Sequence, residues 1–168
     1  PGVRGLQEPE IFTELAARIK KLRAESNCSY KPLVYKFGPD LSADKLEAVL
    51  KIAVDNGADG VTLTNTTTDQ KIRDSLIPEK YSNEIGGISG ALLNFRALDN
   101  THRAYQYVGE SLFIIRAGGV RGTAKDLWEA LTYGGAIAAE SYASFVRPTT
   151  STPNFTIRPL REFAAAMR

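Results

Sequence analysis

Four short apolar runs punctuate the chain: PLVYKF at 32–37, GVTLT at 60–64, SLFII at 111–115 and AIAAESYA at 136–143, the last containing a short strand. Segments with helical signals lie between them. Brief apolar runs spaced by amphipathic helices read as parallel strands joined by right-handed crossovers. The first helix is expected after Pro9, where Ile11, Leu15, Ile19 and Leu22 recur at nearly helical spacing. The second is capped by Ser42, with Leu46, Val49, Leu50 and Ala53 on one face and Gly57 at its end. A third covers 94–108, with Phe95, Leu98 and Tyr105 partly on one face. A fourth opens at Thr123, where Asp126 completes a capping-box pattern, and Leu127, Ala130 and Leu131 supply its apolar side before Gly134 and Gly135. Residues 147–153 read as a loop, and the end from about Arg158 as helical.

Two architectures satisfy this alternation. One is a small open doubly wound sheet. The other is half of a (β/α)8 barrel, because a full barrel needs about 250 residues and the chain has 168. In both, ligands gather at the carboxyl ends of the strands. The polar stretch from Asn65 to about Glu84 is too long for an ordinary connector and is expected to be a loop over such a site.

Composition narrows the chemistry. The basic residues are dispersed and the net charge is only +2, which argues against a nucleic-acid stripe. Cys28 is the only cysteine and His102 the only histidine, so neither a disulfide within the chain nor a multi-histidine metal centre is available. His102 falls in a helix and reads as structural or solvated. No apolar run reaches the roughly 18 residues of a membrane span. The chain opens at Pro1 with PGVRGLQ and no methionine, which reads as the middle of a longer product.

Unusual residues cluster at the strand ends. Lys36 sits near the end of an apolar strand, where it either meets an anion or snorkels to the rim. TNTTT (64–68) puts four hydroxyls and the Asn65 amide at another strand end, suited to a polar planar ligand or to a turn. IGGISG (85–90) and AGGVRGT (117–123) carry glycines that let backbone N–H groups face a ligand or shape a tight turn. With ESYA (140–143), the second of these resembles a divided phosphate cradle.

In order and spacing, PGVRGLQ, KPLVYKFGPDLS, DGVTLTNTTT, GGISGALL, FIIRAGGVRG and GGAIAAESYASF resemble dihydroorotate dehydrogenase of the membrane-associated, quinone-linked class, over nearly the whole chain to about Phe145. The resemblance implies the carboxyl-terminal half of an FMN-containing (β/α)8 barrel, a single partial domain over 1–168 that oxidises dihydroorotate to orotate for quinone and requires an N-terminal half-barrel. It selects the half-barrel over the open sheet. It implies flavin contacts at Lys36, Thr64, Ser89, Gly90, Gly118 and Gly119. Ser141, Tyr142 and Ala143 occupy the second phosphate-binding stretch, and Asn65 and Thr66 match orotate-binding residues. A mitochondrial, inner-membrane-associated location follows from resemblance alone.

The departures also matter. The family's catalytic serine lies in a motif just upstream of the position that Pro1 matches, so no catalytic base is expected within this chain. The strand around Lys36 is one residue shorter than the family pattern, which would disturb side-chain alternation. Arg116 replaces a small residue beside the flavin, and Glu140 stands where glutamine is usual; Ser141 and Ala143 also differ from the family. Arg116 either pairs with Glu140 or a phosphate, or fills space that flavin would occupy. The alternative function is a catalytically inactive, dehydrogenase-derived accessory subunit of a larger mitochondrial assembly.

Overall fold

The computed structural model describes residues 2–81, 83–141 and Ala165. A 3-10 helix, Gly2–Gln7, leads into α1 (Pro9–Glu25). Then follow β1 (Val34–Phe37), α2 (Ala43–Asp55), β2 (Gly60–Leu63), α3 (Gln70–Leu76), α4 (Asn94–Val108), β3 (Phe113–Arg116), α5 (Ala124–Trp128) and β4 (Ala138–Ala139). A π-helical turn, Glu129–Tyr133, extends α5. Pro1, ahead of which the catalytic base is expected, lies outside the described residues. So do the loop expected at 147–153 and the helix expected from Arg158, Ala165 apart.

The four strands are parallel and lie in the order β1-β2-β3-β4. A doubly wound sheet reverses direction at a switch point and so carries helices on both faces. Right-handed crossovers between strands taken in sequence put every connecting helix on one face instead. This is the arrangement of half a (β/α)8 barrel.

Register assigns the two faces. Phe37, Leu63, Arg116 and Ala139 stand in one row across the strands, and Lys36, Thr62, Ile115 and Ala138 in the next. Side chains alternate along a strand, so the first row faces the helices and the second the concave side. The alternation at Lys36 is therefore intact: Tyr35 and Phe37 turn towards Phe12 of α1, with ring centroids 4.8 and 5.2 Å away, and Lys36 points the other way.

The core lies between strands and helices. Leu46, Val49, Leu50 and Ala53 of α2 are buried as their spacing predicts, against Val61, Leu63 and Ile114. Ser42 Oγ accepts from Lys45 N at 3.4 Å to start that helix. Two helices bury different stripes from those expected. In α1 the fully buried residues are Phe12 and Ala16; of the expected stripe, Leu15 packs partly buried against the core, whereas Ile11 and Leu22 are exposed. In α4 the buried face is Ala97, Asn100, Thr101, Ala104 and Val108, and Phe95 is 81% exposed. Small residues let α4 approach the sheet closely, and Thr101 Oγ satisfies itself on Ala97 O at 2.6 Å. His102 stacks on Tyr133, consistent with a structural role.

The segment after β2 is not only loop. Asp69 accepts from Lys71 N at 2.9 Å and caps α3, which has no buried residues and so leaves no apolar periodicity in the sequence. The segment then folds back on itself. Thr67 and Ile88 form an antiparallel bridge, with N–H···O distances of 3.0 and 2.8 Å in the two directions.

Candidate functional site

A cavity of about 400 Å³ opens at the carboxyl ends of the strands, on the concave side. Lys36, Thr64, Asn65, Thr66, Ser89, Gly90, Gly118 and Gly119 all line it, as does Glu140. The Thr67–Ile88 bridge explains how residues 25 positions apart meet: it returns the chain so that Ser89 and Gly90 stand opposite Thr64 to Thr66. Gly87 packs so tightly on Thr66 that no side chain would fit there.

Thr64 is nearly fully buried, and its Oγ has no hydrogen-bond partner among the described residues. Buried hydroxyls are nearly always satisfied, so this one marks a place where a ligand can complete the wall. Beside it, Gly118 and Gly119 take φ of +85° and +69°. A Cβ on Gly118 would meet Thr64 Oγ at 2.8 Å, and one on Gly119 would collide with the Asn94 backbone. The cradle thus requires glycine on both steric and conformational grounds. These features fit a phosphate-bearing ligand.

Asn65 and Thr66, the residues expected to bind substrate, are partly engaged within the chain. Arg4 donates to Thr66 O at 2.7 Å and to Thr66 Oγ at 3.0 Å, and Asn65 Oδ1 accepts from Thr66 N at 2.8 Å. Arg4 is held by Asp40 at 3.7 Å, which also accepts from Thr67 Oγ at 2.5 Å and from Arg96 at 3.1 Å. No sequence periodicity signals this network, because its members come from four separate segments.

Lys36 Nζ lies 3.6 Å from Glu140 Oε2. Both residues face the concave side, and the curvature of the sheet brings them together over β2 and β3. The Glu140 side chain therefore turns to Lys36 and not to Arg116.

Arg116 corrects the expectation that it stands beside the ligand. Its row faces the helices, and the residue is fully buried. The guanidinium donates to Asp126 O at 3.1 Å and to Asn94 O at 3.2 Å, while Nε finds no partner among the described residues. Burial pushes its pKa below the usual arginine range, partly offset by Asp126 and Glu129. It fills space between β3 and the helix layer, so it neither blocks the cavity nor pairs within it.

Asp126 is completely buried. Its Oδ2 accepts from Arg121 N, Thr123 N and Thr123 Oγ at 3.0, 3.2 and 2.8 Å, and its Oδ1 from Asn94 Nδ2 and Arg121 at 3.2 and 3.1 Å. Burial alone would raise its pKa; the hydrogen bonds from Thr123 and Arg121 outweigh this and hold it below the ordinary carboxylate value. Ala91, Leu93, Val120 and Arg121 complete the cavity wall and were not singled out by sequence. Ser141 donates to Val120 O at 2.9 Å, behind that wall. Tyr142 and Ala143 lie outside the described residues, as does Pro1, so the structure places neither the rest of the second phosphate-binding stretch nor the point upstream of which the base is expected.

The family model described as dihydroorotate dehydrogenase matches residues 1–154. Dihydroorotate dehydrogenase (quinone) of Streptomyces coelicolor is 33% identical over 147 residues, covering 87% of this chain and 39% of that protein. The Vibrio cholerae enzyme of the same name is 37% identical over 123 residues, covering 71% and 36%. A crystal structure of Eimeria tenella DHODH in complex with ferulenol superposes with a TM-score of 0.78 at 24% identity, covering 99% of this chain and 47% of that one. The chain thus spans well under half the length of the curated relatives it matches.

Proposed function

The chain belongs to the dihydroorotate dehydrogenase family, and from that premise we propose that its cavity is the FMN side of an active site oxidising dihydroorotate to orotate with quinone as acceptor. The observation that carries this reading is the convergence of Thr64, Ser89, Gly90, Gly118 and Gly119 on one cavity whose Thr64 hydroxyl lacks a partner among the described residues. Gly118 and Gly119 would take the phosphate, with Ser141 fixing the adjoining backbone. Thr64, Ser89 and Gly90 would line the ring, and Lys36 would supply positive charge at its edge. Asn65 and Thr66 would orient the carboxylated substrate. When bound, FMN accepts a hydride and passes electrons onward. The base that removes the substrate proton, and the strands that close the barrel, would come from an N-terminal half-barrel outside this chain. A mitochondrial, inner-membrane-associated setting is part of the same proposal.

One observation favours a second reading. The Glu140 carboxylate lies within the cavity, bound to Lys36, and a carboxylate there opposes an anionic ligand. The second reading is an inactive accessory subunit that keeps the fold as scaffold. Adding dihydroorotate to the natively purified assembly separates the two. Bleaching of a flavin band, reversed by quinone, supports the enzyme; bound flavin that dihydroorotate leaves unchanged, or no flavin, supports the scaffold.

A further inference from the structure

Arg121 follows the glycine cradle and lines the cavity, with its side chain about half exposed (47%). Its partner Asp126 already accepts two backbone N–H groups, the Thr123 hydroxyl and the Asn94 amide. That carboxylate is therefore satisfied without a guanidinium, and it binds Arg121 through one nitrogen only, at 3.1 Å. A guanidinium has five N–H donors in a rigid fork, so this hold fixes the group while leaving donors for the cavity. Among the described residues the cavity's other cation is Lys36, which is tied to Glu140 at 3.6 Å. A dianion entering the cavity meets that carboxylate, and Arg121 offers compensating charge at the glycine end.

We propose that Arg121 is a phosphate-binding side chain of this cavity, positioned by Asp126, and that it selects ligands carrying a phosphate monoester. The inference deepens the flavin reading and rests on it for the identity of the ligand, but not for the phosphate. Arg121 adds a charged side-chain contact to a cradle otherwise built from backbone.

The test uses the chain purified with its natural partners, as wild type, Arg121→Met and Arg121→Lys. Inorganic phosphate is the first probe, read by thermal shift against an equal concentration of chloride. FMN and riboflavin, which differ by the phosphate, are then titrated by flavin fluorescence. The expected result is a phosphate-dependent shift in wild type that Arg121→Met lacks. The preference for FMN over riboflavin should fall about tenfold in Arg121→Met, with riboflavin affinity unchanged and Arg121→Lys intermediate. Equal phosphate shifts in wild type and Arg121→Met would overturn the proposal, as would equal losses of both flavins. If wild type binds neither flavin, the flavin reading fails, and the phosphate arm alone decides the role of Arg121.

Discussion

Lys36 Nζ stands 3.6 Å from Glu140 Oε2, so a cation of β1 and the carboxylate that follows β4 meet across the two strands between them. Such a contact needs a curved sheet with both side chains on its concave face. It ties the outer strands of the half-barrel together at the mouth of the cavity, and it sets the charge that a ligand encounters there.

Glu140→Gln should strengthen FMN binding about fivefold, because Lys36 is then less neutralised. Both side chains are more than a third exposed, so the fold itself should lose less than about 1 kcal/mol. Flavin titration and urea unfolding of the same variant read the two effects separately.

Thr64→Val removes a buried hydroxyl that has no partner among the described residues. The ligand-free fold should gain about 1 kcal/mol, since an unsatisfied polar atom is replaced by a methyl of similar size. FMN affinity should fall. A variant that loses both stability and affinity would show that the hydroxyl serves the fold instead.

Arg116→Met keeps most of the buried volume and faces the helix layer. It should change stability by no more than about 1 kcal/mol and leave flavin affinity untouched. Arg116→Ala should cost about 3 kcal/mol through the cavity it leaves. Paired melting curves and flavin titrations check both.

The depressed pKa of Asp126 gives an acid limb to stability. Because its folded value lies below its unfolded one, the stabilisation is complete above the unfolded value, about pH 4, and is lost as pH falls through the folded value. Asp126→Asn should lose roughly 2 kcal/mol at neutral pH and show a flatter decline in acid. Unfolding midpoints measured from pH 7 downward test the sign.

Gly119→Ala combines a φ of +69° with a collision against the Asn94 backbone. Roughly 3 kcal/mol of destabilisation is expected, together with loss of the cradle. A neutral substitution would place the loop elsewhere.

Much of the fold was legible because its signals are local. The α2 stripe from Leu46 to Ala53, the Ser42 cap and the Thr123–Asp126 capping box each lie within one turn or helix, and the structure shows each of them. What failed was what neighbours decide. Ile11 and Leu22 have helical spacing, but the sheet meets α1 through Phe12 and Ala16. The face of α4 is made of small and polar residues, which carry little hydrophobic period. Helix α3 buries nothing, so only its cap could have marked it.

At the site, the glycine and threonine segments stood out by composition, and the structure gathers them in one cavity. The direction of Arg116 was hidden because a one-residue change of register moves a side chain to the other face. The network joining Arg4, Asp40 and Arg96 was hidden because its members meet only in three dimensions.

The most direct test of the central claim is the visible absorption spectrum of the natively purified protein with its partners attached. A flavin band stoichiometric with this chain, released as FMN on denaturation, is expected. Intact, well-folded material without that band would contradict it and leave the chain as a retained scaffold.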